Sequence, residues 1–118
     1  MKLIWYPKCG TCRNAKKWLD EKGISYELRD ITLEKPTEKE LRSWQKKSGT
    51  DVRKMFNTSG RLYREMNLKE KLKTMSEDEM FALLATDGML VKRPVLTDRN
   101  KVVIGFKAEN YEKACEEF

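Results

Sequence analysis

Two cysteines, in the order Cys9-Gly10-Thr11-Cys12, stand between a short apolar run and a segment with helical spacing. This placement constrains the chain more than any other feature. Lys2 to Tyr6 is apolar and aromatic, ends at Pro7, and reads as a buried strand. Cys12 to Lys22 carries Ala15, Trp18 and Leu19 on one helical face, and Gly23 stops it. Ser25 to Ile31 alternates and reads as a second strand. A strand, a helix and a strand make a right-handed βαβ unit. Cys9 then lies just before the helix and Cys12 in its first turn, so the two sulfurs can come within bonding distance.

The rest of the chain extends this unit. Pro36 breaks it, and Thr37-Glu38-Lys39-Glu40 has the residues of a capping box, with a helix through Leu41 and Trp44 to Ser48-Gly49. A shorter helix carries Val52, Met55 and Phe56. Asn57 to Gly60 is a loop, and Leu68 to Lys73 a further turn or two. Ser76-Glu77-Asp78-Glu79 opens another capped helix, bearing Met80, Leu83 and Leu84 and ending near Gly88. Pro94 to Thr97 and Lys101 to Gly105 are strands that a short turn makes antiparallel. Ala108 to Phe118 closes as a helix with Tyr111, Ala114, Cys115 and Phe118 inward. The order β-α-β, helical insertion at about 36–88, β-β-α is an α/β, thioredoxin-like layout with a four-stranded mixed sheet. It covers residues 1–118 as one domain. In that layout Pro94 is cis and packs beside the cysteine motif.

Composition narrows the function classes. Of the residues, 39% are apolar and 37% charged with both signs interleaved, a globular balance. The net charge of +6 is spread over helical faces, without the basic block of a nucleic-acid arm, so no direct nucleic-acid contact is expected. Leu3 to Tyr6 is too short for a signal peptide or a membrane span, which makes a cytoplasmic location the expectation and a membrane no partner. Histidine is absent, which excludes a Ser-His-Asp triad, a Cys-His pair and a His-ligated metal. Three cysteines cannot complete a four-Cys zinc site, so no metal and no bound cofactor are expected.

Any cysteine chemistry must therefore be tuned by helix ends and cations. Cys9 faces the positive end of the helix dipole, with Lys8 and Arg13 nearby. A thiol pKa of ~7 or lower is typical of such a motif. Inert thiols and half a zinc site are the competing readings. Arg93, ahead of Pro94, would aim a guanidinium at the thiol and hold an oxyanion in a bidentate fork; an ordinary surface arginine is the alternative. Cys115 reads as a buried core thiol.

Tyr6 to Asn14, Asp51-Val52-Arg53 and Val91-Lys92-Arg93-Pro94 together resemble the ArsC/Spx family of bacterial proteins. The group holds glutaredoxin-linked arsenate reductases and the redox-sensing regulator Spx. Asn57 to Gly60 and Asp87 to Leu90 resemble its YusI-like subgroup. The resemblance implies that Cys9 is the nucleophile, with Thr11, Arg53, Arg93 and Pro94 at the substrate. The family's third oxyanion-binding arginine falls near Phe106, with Lys107 beside it. Reductases of this type usually carry serine where Cys12 stands, whereas Spx-like members have both cysteines. Cys12 would then be the resolving thiol, closing a Cys9–Cys12 disulfide.

The implied substrate is a small oxyanion or a thiol or disulfide. Glutathione, glutaredoxin or thioredoxin would be the electron donor. The alternatives are an Spx-like regulator that contacts RNA polymerase, and a non-catalytic binding module.

Overall fold

The computed structural model describes residues 1–116, so the inward reading of Phe118 lies outside the described residues. Strands β1 (Lys2–Trp5), β2 (Glu27–Asp30), β3 (Val95–Thr97) and β4 (Val102–Ile104) form one mixed sheet in the order β2-β1-β3-β4. β1 runs parallel to β2 and antiparallel to β3, and β3 is antiparallel to β4. The helices are α1 (Gly10–Glu21), α2 (Glu38–Ser48), α3 (Arg61–Glu65), α4 (Leu68–Lys71), α5 (Glu77–Leu84) and α6 (Ala108–Glu116). The β-α-β, insertion, β-β-α order of a thioredoxin-like fold is present, and the Arg93–Pro94 bond is cis.

Strand alternation divides the core. Successive side chains point to opposite faces. Leu3 and Leu96 therefore join Ala15 and Leu19 of α1 and Tyr111 of α6 on one side. Ile4, Val95 and Val102 join the insertion on the other, with Leu41, Trp44, Met80 and Leu84. Tyr111 is fully buried, stacks edge-on against Trp18 and Phe106, and donates its hydroxyl to the Gly105 carbonyl at 3.2 Å.

Both capping boxes form. The Thr37 hydroxyl accepts from the Glu40 N–H, and the Glu40 carboxylate from the Thr37 N–H, each at 3.1 Å. Ser76 and Glu79 repeat the arrangement. Glu40 has a second task. It accepts a two-pronged pair of hydrogen bonds from Arg29 on the edge strand β2, at 2.6 and 3.1 Å. One carboxylate thus caps α2 and ties the insertion to the sheet.

The structure departs from the sequence reading in four places. β2 is shorter than Ser25 to Ile31, and Leu28 is largely exposed, because β2 is an edge strand. Helix α3 was not expected. Its five residues include only Leu62 and Tyr63 as apolar members, and its N-cap Gly60 supplies no side-chain hydrogen bond. Helix α5 ends at Leu84, and Gly88 opens a short 3-10 turn instead of closing a helix. Gly88 is buried against the backbone leaving β2, where an added Cβ would overlap the Ile31 carbonyl oxygen. Cys115 is half-buried, not a core thiol. Tyr111 and Ala114 take the centre of the apolar stripe of α6 and leave position 115 at its margin.

Two outcomes follow for stability. Gly88→Ala should cost about 1–3 kcal/mol, since rigid backbone must yield, and urea unfolding measures this. Glu40 is held below its ordinary value of 4.5, first by the Arg29 hydrogen bonds, against the opposing effect of burial. Its contribution should be complete above pH 4.5 and fade as pH falls through the depressed value; Glu40→Gln should flatten that acid limb of the stability curve.

Candidate active site

The register of the sheet gathers the site at one end. Ile4 pairs with Val95, and Val95 with Ile104. The residues just past β1, just before β3 and just after β4 therefore meet at the same edge. Continuing the β1–β3 register sets Tyr6 across from Arg93, and the Arg93 guanidinium lies over the Tyr6 ring at 5.1 Å. The Gly105 N–H donates to the Pro94 carbonyl at 2.8 Å, and Gly105 has φ +85°, which only glycine adopts readily. The chain then turns so that Phe106 and Lys107 form a wall of the site.

The cysteine motif enters at the same end. The Cys9 N–H donates to the Tyr6 carbonyl at 3.0 Å, closing the turn after β1. The Arg13 guanidinium holds the Pro7 carbonyl at 3.1 Å. Cys9 is the N-cap of α1, and its sulfur accepts from the Cys12 N–H at 3.4 Å. A cysteine sulfur thus takes the place of the usual oxygen cap, where the helix dipole favours negative charge.

The two thiols are tuned in opposite directions. Burial pushes Cys9 up. Hydrogen bonds from the Cys12 side chain and backbone, the Arg93 charge and a Thr11 backbone hydrogen bond outweigh it, so the thiol lies below its ordinary 9.0. Cys12 is fully buried, and that burial pushes it up to about 12 despite a backbone hydrogen bond from Tyr6.

Cys9 opens into a cavity of about 1170 Å³ that Thr11, Arg93 and Lys107 also line. Arg93 is half-buried. Its Nε and Nη1 are buried and have no hydrogen-bond acceptor among the described residues. Pro94 is buried behind it. Arg53 stands apart from this cavity. Its guanidinium is exposed and lies 3.7 Å from Asp51, while its neighbour Lys54 lines the wall. Both sit in the 3-10 turn Val52–Met55, where successive side chains point about 120° apart, so the two cannot face the same way.

Lys54, Lys92 and the Asn57 to Gly60 loop are among the cavity residues that the sequence reading did not assign to the site. The loop is tied to the Arg93 segment by the Asn57 N–H to Leu90 carbonyl bond at 2.8 Å and the Phe56–Val91 bridge. Its link to the site was visible only as one of the stretches carrying the family resemblance. Among the described residues, no cluster of three or more Cys, Asp or Glu is placed to hold a metal ion. No helix among them is long and apolar enough to cross a membrane.

With that geometry in place, the comparison with known proteins is decisive at the family level. The model of the ArsC family matches residues 4–114. The chain belongs to the ArsC family. The uncharacterized protein YusI of Bacillus subtilis is 57% identical over 94% of each chain. The regulatory protein MgsR of the same organism is 31% identical, over 86% of this chain and 79% of its own length. A solved structure from Bacteroides fragilis, described as ArsC-family-related, superposes with a TM-score of 0.93 at 50% identity, covering 95% of this chain and 94% of its own. That of a possible arsenate reductase from Streptococcus mutans gives 0.85 at 44% identity, covering 94% and 96%.

Within this ArsC-family chain, Cys9 should alkylate well before Cys12 and Cys115 at neutral pH. Its rate should reach half its maximum below pH 9.0. Mass-resolved labelling with limiting iodoacetamide reads this out; equal labelling of the three would remove the tuned thiol.

Proposed function

We propose that this protein is a thiol oxidoreductase in which Cys9 is the nucleophile, Cys12 the resolving thiol and Arg93 the anion clamp. One observation carries the reading: a guanidinium with two buried, unpartnered nitrogens shares a cavity wall with a half-buried thiol of lowered pKa. Unpartnered guanidinium nitrogens suit an oxyanion or carboxylate, whose oxygens accept charge-assisted N–H bonds. The similarity to a possible arsenate reductase supports the same class.

The pKa asymmetry supports an order of events. Cys9 attacks first, because its pKa lies below the ordinary 9.0 while that of Cys12 is pushed up to about 12. Arsenate would lose water as the Cys9 sulfur bonds to arsenic; a disulfide would release one thiolate. Burial keeps Cys12 protonated, and so does the neighbouring Cys9 charge. Adduct formation removes that charge. Cys12 then gives up its proton and attacks the Cys9 sulfur. Arsenite or the second thiol leaves, and the protein has lost two electrons as a Cys9–Cys12 disulfide. Glutathione, glutaredoxin or thioredoxin would return them. Thr11 and Lys107 border the reacting sulfur's cavity, Lys107 as a point charge without the arginine fork. Pro94 backs the clamp. Arg53, which lies beside Asp51 and not among the cavity-lining residues, is assigned no part in this step.

A second reading is favoured by the likeness to MgsR and to the Spx regulators, such as that of Bacillus anthracis at 27% identity. In it the same thiol pair is a switch that alters contact with RNA polymerase.

A coupled assay with glutathione, glutaredoxin or thioredoxin against arsenate and model disulfides tests the first reading. Cys9→Ser should abolish turnover. Arg93→Lys keeps the charge but loses the fork, and should lower turnover of an anionic substrate by about 10²–10³-fold while the Cys9–Cys12 disulfide still forms on mild oxidation. A disulfide without turnover, joined to an oxidation-dependent pull-down of RNA polymerase, would give the case to the switch.

A further inference from the structure

The cavity is far larger than an oxyanion needs. A tetrahedral oxyanion of five heavy atoms, at about 30 Å³ each, fills on the order of 150 Å³. The space beside Cys9 is about 1170 Å³. Its charge is also one-sided. Lys54, Lys92, Arg93 and Lys107 line it, and none has a carboxylate within ion-pair distance among the described residues. The one carboxylate on the wall, Glu65, is already bound to Arg61 at 2.7 Å. Four cations without an ion-pair partner thus line the cavity into which the Cys9 thiol opens, and Leu62 and Phe106 add apolar surface to its wall.

We infer that the substrate is a polyanionic low-molecular-weight disulfide, its negative groups carried several bonds away from the sulfur. The inference rests on the reading of Cys9 and Cys12 as a reducing pair. The Cys9 thiolate attacks one sulfur of R–S–S–R, forming Cys9–S–S–R and releasing RS⁻. Cys12 passes its proton to that thiolate or to solvent and attacks the Cys9 sulfur, releasing the second RS⁻. The protein dithiol loses two electrons and the disulfide gains them. Arg93 takes an anionic group close to the sulfur. The three lysines take groups farther out, as point charges that tolerate different geometries. Phosphate and carboxylate share this chemistry, and the substrate panel separates them.

The test uses the reduced full-length protein in single turnover, following Cys9–Cys12 disulfide formation by mass. The disulfides are those of coenzyme A (phosphates), glutathione (carboxylates), 2-mercaptoethanol (neutral) and cysteamine (cationic). Each rate is divided by that of dithiothreitol with the same disulfide, which removes differences in leaving-group reactivity. The normalised rate should be at least about 10-fold higher for an anionic disulfide than for the neutral one, and lowest for the cationic one. The ratio should shrink between about 0.05 and about 0.5 M salt, and in a Lys54→Gln, Lys107→Gln double variant. The faster anionic member identifies phosphate or carboxylate as the group read. Normalised rates within twofold of one another, with Cys9 still reacting, would overturn the charge selectivity and leave the reducing pair standing. No Cys9–Cys12 disulfide with any of the four would overturn the reducing pair itself.

Discussion

The site depends on a guanidinium that the fold buries without satisfying. A buried donor left unpaired costs about 1–3 kcal/mol, and more when charged. Arg93 has two such nitrogens, and its guanidinium lies over the face of Tyr6. That contact orients the plane of the fork without using its N–H groups. The Arg93 charge helps lower the Cys9 pKa, and the charge of a Cys9 thiolate offsets part of the cost when the thiol ionises. Once Cys9 forms a covalent bond this compensation is lost, and an anionic group on the ligand can take it over.

Strand pairing makes this meeting unavoidable. Because β3 is antiparallel to β1, the residues before it lie beside those after β1, so Arg93 reaches Tyr6 across a distance of 87 positions in the chain, as the register Ile4–Val95 requires. β4 brings Gly105 to Pro94 in the same way. Tyr111 then fastens the turn from below through its hydroxyl bond to the Gly105 carbonyl and its edge contact with Phe106. The helix end, the arginine and the lysine wall are therefore set by the sheet, not by local loop preferences.

Much of this was legible in the sequence because it rests on local rules. The capping boxes need only a hydroxyl and a carboxylate at fixed spacing, and both form. The strand alternation at Leu3-Ile4 and Val95-Leu96 separates the two core faces as the pattern requires. What was hidden depends on direction or on distant packing. Asp51-Val52-Arg53 carries part of the family resemblance, yet the 3-10 turn sends Lys54 to the cavity and leaves Arg53 beside Asp51. Gly88 resembles a helix stop in one dimension and proves to be a contact with the chain leaving β2 in three. Helix α3 carries no cap side chain and little apolar periodicity, so nothing local announces it.

The two cysteines show how a symmetric motif becomes asymmetric. Both lie at the start of one helix, and the dipole acts on both. Burial differs: Cys9 opens to the cavity, while Cys12 is sealed beneath it and shielded from solvent. The Cys12 N–H caps the Cys9 sulfur, so the helix stabilises the charge of one thiol through the backbone of the other. The same sealing that keeps Cys12 protonated keeps external thiols and disulfides from it. A Cys9 adduct, by contrast, is within its reach. Exposure selects the first nucleophile, and proximity selects the second.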